Sequence, residues 1–223
     1  ATLWDGTTRV KYSLSDPRLF PTAAILDPSL TVSASSELTL SSGLDALSHA
    51  MEAIWNVNHT AVNDALAASA IARIKRYLPA VLAMPGDLGG RAELQTAALL
   101  AGLAIGQTRT ALAHSISYPL TGRFGLPHGL ACGFTLPDVA AYNLASNPER
   151  IQTIAEAFGL ASAEELPAAL RTWMRSLGVY EAVRHVVQPR MVAELGMSVI
   201  TPGRADNNIR PATVADAHAI LYA

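Results

Sequence analysis

From Leu44 onward apolar positions recur three and four apart, the repeat that gathers them on one face of a helix. Residues 44–56 (LDALSHAMEAIWN) form one amphipathic segment, and 61–83 (AVNDALAASAIARIKRYLPAVLA) a second that closes near Pro85-Gly86. Residues 91–108 form a third, apolar on all sides and therefore expected at the centre. Residues 108–122 predict a short helix ended by Pro119 and Gly122, and 128–145 another, kinked or broken at Pro137. Past Asn147, PERIQTIAEAFG, AEELPAALRTWMRSLG, PRMVAELGM and TVADAHAILYA read as shorter helices with Gly or Pro at their junctions.

The first 32 residues carry a different pattern. RVKYSL and TAAILDPSLT are short β-type runs punctuated by Asp-Pro, and SASSELTLSSG is a small-residue connector with candidate helix caps at Ser41 and Ser42. The pattern as a whole predicts a mainly α chain: an orthogonal helical bundle over residues 41–223 behind a β-type lead-in at 1–40.

With 223 residues, half of them apolar, the chain can bury the core of one large domain or at most two small ones. A formal net charge of −2 removes the electrostatic case for nucleic acid, which needs concentrated Lys and Arg. The longest apolar run, TAALLAGLAIG, is too short to cross a bilayer, and the first residues lack the pattern of a secretion signal. The single cysteine, Cys132, excludes an internal disulfide framework and fits a reducing compartment. It reads as a small buried apolar residue. The expected location is cytoplasmic. The chain does not begin with Met, so it reads as a piece of something longer or a processed product.

Four side chains stand out against this apolar background. Asp45 and His49 lie one helical turn apart and point the same way, and His114 and His128 come from a second stretch fourteen residues long. Buried carboxylates and imidazoles are costly unless paired or coordinating, and three imidazoles with one carboxylate compensate one another around a cation. Together they make a complete ligand set for Fe²⁺ or Zn²⁺. Glu52, a further turn along from His49, either orients a ligand imidazole or faces solvent. His59, His185 and His218 sit in stretches that do not join this group.

The segments GLDALSHAMEA, NDALAASAIARIKRYLP and ALAHSISYPLTGRFGLPHGLACGFTLPDVAAYN resemble the iron-containing (group III) alcohol dehydrogenases. That family has an Asp-x-x-x-His helix, a His pair fourteen residues apart before a Gly, then Leu-Pro and Asn. The resemblance extends to the R-x-D-N-N-x-R-P-x-T stretch at 204–213. It implies the helical metal domain of a dehydroquinate synthase-like fold, with the α/β nucleotide-binding domain absent from this chain. It also implies Asp45, His49, His114 and His128 as metal ligands and NAD(P) as the hydride carrier. Lys11 and Leu38 would be cofactor contacts, and a homodimer is the expected assembly.

Where similar enzymes have a proton-relay histidine, this chain has Tyr118, which either relays a proton or packs in the cleft wall. Arg109 and Arg123 bracket the third and fourth ligands and suit a substrate with an anionic group. The run from Ala113 to Gly129 looks like the branch that includes phosphonoacetaldehyde reductases, so phosphonoacetaldehyde is the substrate to test. Two other readings compete: a metal-dependent lyase of the dehydroquinate synthase type, and a non-catalytic metal-binding helical module.

Overall fold

The computed structural model describes residues 2–5, 7, 11–14 and 16–223 of the chain. A two-stranded antiparallel ribbon of β1 (Thr2–Trp4) and β2 (Lys11–Ser13) places Leu3 opposite Tyr12. The second expected β-type run forms no strand. Residues 22–27 are irregular and lead into a 3₁₀ turn, Pro28–Thr31, capped by the Asp27 carboxylate, which accepts the Ser29 N–H. Asp-Pro is a strong turn starter, and with Ile25 92% exposed no packing opposes it.

Helix α1 (Ser36–Ile54) begins well before the expected caps at Ser41 and Ser42. Ser35 is the cap, accepting the Leu38 N–H, and the Ser42 hydroxyl donates to the Leu38 carbonyl inside the helix. The serines of the supposed connector are therefore absorbed by a helix whose stability comes from Leu44, Leu47, Met51 and Ile54, all buried. Residue 41, the expected start of the bundle, falls inside it.

Helices α2 (Ala61–Ala83) and α3 (Leu88–Thr108) pack on each other and on α1. α3 is not the central helix its composition suggests. Ala97, Ala101 and Ala104 face the core, whereas Leu99 and Leu103 are exposed. Its two faces differ in side-chain size rather than polarity, and the small face permits the close approach to its neighbours.

Helix α4 (Leu112–Phe124) runs through Pro119 instead of stopping there. The proline deletes one helical N–H, while Ile116 and Leu120, both fully buried, keep the last turns docked. The helix ends instead at Gly125, whose φ of +71° lets its N–H reach the Leu120 and Thr121 carbonyls. The kink or break expected at Pro137 is a break just before it, at Phe134 and Thr135, between α5 (His128–Gly133) and α6 (Leu136–Leu144), and Pro137 sits in the first turn of α6. α7 (Pro148–Ala157), α8 (Leu166–Ser176), α9 (Val179–Val186), α10 (Pro189–Ala193) and α11 (Val214–Tyr222) complete the bundle. One continuous apolar core links α1 to α11. Among the described residues no helix is long and apolar enough to cross a membrane.

The 204–213 stretch is a strap rather than a helix. Val57 N–H donates to Asn207 O and Ile209 N–H to Trp55 O, while Asn143 and Asn208 exchange side-chain hydrogen bonds in a buried pair. Asn207 also donates to Thr110 O. The strap thereby holds the end of α1 and the approach to α4 together, and those are the elements that carry the candidate site.

Candidate metal centre

Three elements converge on one point. α1 presents Asp45, His49 and Glu52 at the i, i+4, i+7 spacing of a single helix face. α4 contributes His114 from its first turn, and α5 contributes His128 from its N-terminal residue. α5 comes this close because two glycines face α1. A Cβ on Gly129 would fall 1.7 Å from the Ser41 carbonyl oxygen, and one on Gly133 would fall 2.9 Å from Leu44 Cβ. The dipeptide His128-Gly129 thus couples a donor to the contact that positions it.

Asp45 Oδ1 is the hub. The Nε2 atoms of His114, His128 and His49 lie 3.4, 3.8 and 3.9 Å from it. Donors held about 2.0–2.2 Å from one dication stand roughly 3–4 Å from each other, so these separations suit a shared ion. The His49 and His114 rings stack with centroids 4.8 Å apart, and His114 meets His128 edge-on at 5.4 Å.

Glu52 settles how His114 is used. It is fully buried, and its carboxylate accepts the N–H of Ala111 at 2.8 Å and of His114 at 3.1 Å. Its Oε2 stands 2.7 Å from His114 Nδ1. That contact fixes the proton on Nδ1 and turns the lone pair of Nε2 toward Asp45. Of its two open readings, orienting an imidazole is the one the geometry fits; facing solvent is not.

Two buried atoms in this cluster, Asp45 Oδ1 and His114 Nε2, have no hydrogen-bonding partner. A buried acceptor left in that condition is costly, and a cation satisfies both at once. The donor set, hard carboxylate plus imidazoles, fits iron or zinc. Burial alone would raise the Asp45 carboxyl, but the neighbouring imidazoles, His114 foremost, outweigh it and hold the group well below the usual carboxylate range. Burial alone would lower His114; the surrounding Cys132, Glu52 and Asp45 push it well above the ordinary imidazole value instead.

Cys132 is the small, fully buried residue that the sequence predicts. Its Sγ also belongs to the cluster: Asp45, His114, His128 and Cys132 each bring one ligand-type atom to within 4.8 Å of the others. The available signal is its position four residues after His128, which puts both side chains on one face of α5.

The remaining expected residues fall in different places. Tyr118 lies beside the cluster, its ring stacked 6.1 Å from that of His128 and its hydroxyl accepting the Arg204 Nε–H at 3.3 Å. Arg123 is directed away, donating to the Glu194 carbonyl. Arg109 is exposed at the end of α3, with a φ of +68° that no other described non-glycine residue adopts. The guanidinium found beside Tyr118 is that of Arg204, which the sequence marks only as part of the 204–213 motif. Leu38 lines a groove of about 400 Å³ with Leu30, Thr39, Ile74 and Arg91, two helical turns before Asp45. Lys11 lies in β2, and its side chain is outside the described residues. His59 pairs with Asp64 and His218 with the Gly196 carbonyl, so neither joins the cluster.

The helical bundle and its carboxylate–imidazole cluster define the metal-domain class seen in iron-containing dehydrogenases. The chain belongs to the Fe-containing alcohol dehydrogenase family, matching the model of its C-terminal part over residues 39–223. It is 33% identical to the NAD-dependent methanol dehydrogenase of Bacillus methanolicus over 99% of this chain and 60% of that protein. It is 41% identical to the phosphonoacetaldehyde reductase of Streptomyces viridochromogenes over 64% of this chain and 36% of that one. Its structure superposes on that of a 1,3-propanediol oxidoreductase with a TM-score of 0.90 and 31% identity, covering 99% of this chain and 60% of the other. The chain therefore spans no more than 60% of the length of these relatives.

Proposed function

We propose that this chain is the metal-holding part of an NAD(P)-dependent alcohol dehydrogenase or aldehyde reductase, with Asp45, His49, His114 and His128 as ligands of Fe²⁺ or Zn²⁺. The observation that carries the reading is the placement of three imidazole Nε2 atoms within 3.9 Å of one carboxylate oxygen. The residues before α1 would belong with a nucleotide-binding domain, and the metal domain would begin with α1 at Ser36, a few residues ahead of the expected 41. When bound, the dication supplies a Lewis acid for a carbonyl oxygen and the nicotinamide supplies the hydride.

The chain's own residues do the positioning. Glu52 keeps Nδ1 of His114 protonated and so keeps Nε2 available to the ion. Leu38 offers an apolar wall to the cofactor from the groove beside α1, and Lys11 a cation from β2. Tyr118 carries an exchangeable proton beside His128 in its hydroxyl, and Arg204 holds that oxygen in place. The guanidinium of Arg204 takes over the role expected of Arg109 and Arg123, a cation for the anionic end of a substrate such as phosphonoacetaldehyde. The likeness to a phosphonoacetaldehyde reductase favours an anionic aldehyde. A homodimer is the proposed assembly.

Metal analysis of the purified chain tests the site: replacing Asp45, His49, His114 or His128 by Ala should each lower occupancy, whereas His59→Ala and His185→Ala should not. Loss of metal in either control and none in the first set would overturn the ligand assignment. Hydride-transfer assays on a version with its nucleotide-binding part then compare phosphonoacetaldehyde, maleylacetate and uncharged aldehydes. Equal or faster turnover of the uncharged ones removes the anionic substrate.

A further inference from the structure

We propose that Cys132 Sγ is an additional donor to the ion, so that the centre is a mixed nitrogen, oxygen and sulfur site rather than a purely nitrogen and oxygen one. The inference rests on the reading that the cluster around Asp45 holds a dication. Cys132 stands one turn after His128 on α5, pointing the same way. Its Sγ is 3.8 Å from both ring nitrogens of His128. Donors at roughly 2.1 Å (nitrogen) and 2.3 Å (sulfur) from a common ion are about 3–4.4 Å apart, which brackets that separation. The four ligand-type atoms of Asp45, His114, His128 and Cys132 lie within 4.8 Å of one another, a group that does not include His49.

Two further observations point the same way. His114 is 1% exposed, and its Nε2 enters the cluster without a hydrogen-bonding partner. Cys132 is itself fully buried, on a helix whose backbone is pinned on α1 through Gly129 and Gly133. A thiol that meets a dication gives up its proton outright. The site would then bring two negative charges, from Asp45 and Cys132, to the ion instead of one. That neutralises the buried dication and biases the site toward iron, zinc and cobalt over magnesium or manganese.

Cobalt(II) loading is the test, because thiolate-to-cobalt charge transfer absorbs in the near ultraviolet, apart from the visible ligand-field bands. The expected result for the 223-residue chain is both sets of bands. In Cys132→Ser the near-ultraviolet band should vanish while visible bands persist, with affinity weaker by on the order of tenfold. Visible bands in the unaltered chain without the near-ultraviolet one, or a near-ultraviolet band that survives in Cys132→Ser, would overturn the sulfur donor and leave the metal reading intact. No cobalt uptake by the unaltered chain would overturn both. Should Cys132→Ser fail to fold, the spectrum of the unaltered chain still separates these outcomes, and Cys132→Ala provides the second variant.

Discussion

Glu52→Gln is the sharpest substitution at the residue scale. Oε1 accepts the His114 N–H while Oε2 accepts the Ala111 N–H and faces His114 Nδ1, so an amide keeps the His114 N–H bond only by turning its N–H₂ toward Ala111 N–H and His114 Nδ1. In that orientation Nδ1 becomes the acceptor, the ring proton moves to Nε2 and the donor facing Asp45 is blocked; in the flipped one the buried His114 N–H loses its acceptor. Metal affinity should fall by about 10–100-fold with the helical circular dichroism retained, as read by chelator competition. Protons should compete at the same atom. His114 is raised in the folded chain, so its proton stabilises the metal-free fold fully below about pH 6.5, and that contribution is lost as pH rises through the raised value. An ion has to displace the proton, so apparent affinity should rise as pH increases above about 6.5; a flat profile would contradict this. That Asp45, His49, His114 and His128 come together is legible because helical spacing and ligand chemistry coincide at Asp45-His49 and His128 carries its docking glycine beside it. The parts played by Glu52, Cys132 and Arg204 are not, since what each faces depends on how α1, α4, α5 and the strap meet.

At the scale of elements the site depends on how closely α5 lies on α1. Gly129→Ala places a methyl group against the Ser41 carbonyl, an obstacle of backbone that cannot rotate away. The cost should reach the upper end of about 1–3 kcal/mol, seen as a lower urea midpoint at unchanged slope, together with weaker metal binding as His128 is displaced. Gly102→Ala is the counterpart. It lies exposed within α3 with nothing within 4 Å of the added carbon, and should stabilise by roughly 0.5–1 kcal/mol. Periodicity reveals the helices from Leu44 onward because their buried faces are long. It misjudges the ends where local chemistry competes with packing: serines that look like a connector form the first turns of α1, and Pro119, a stop signal by itself, is overruled by the buried Ile116 and Leu120. The β-type reading of 22–31 fails for the converse reason, as no neighbouring strand or core face among the described residues rewards it.

Across the whole molecule, buried order is concentrated in the bundle and apolar exposure in the lead-in. Phe20, Ile25 and Leu30 are 71, 92 and 77% exposed, and Leu38 at the start of α1, which lines a groove with Leu30, is exposed as well. Side chains of this size normally bury, each gaining about 1.5–3 kcal/mol when covered, and a contiguous patch of them drives association. The 223-residue chain should therefore self-associate at micromolar concentration, through the lead-in and not through the metal centre. Sedimentation velocity would show this as a concentration-dependent shift, and Ile25→Lys combined with Phe20→Ser should return the chain toward the monomer with its metal content unchanged. The same experiment separates lead-in from bundle: the pinned strap, with Asn143 and Asn208 paired in the interior, keeps the cluster intact whatever covers residues 20–30. Monomer at all concentrations would show that the exposed residues fold onto the bundle in solution, and loss of metal in the double variant would show that the lead-in helps hold the site.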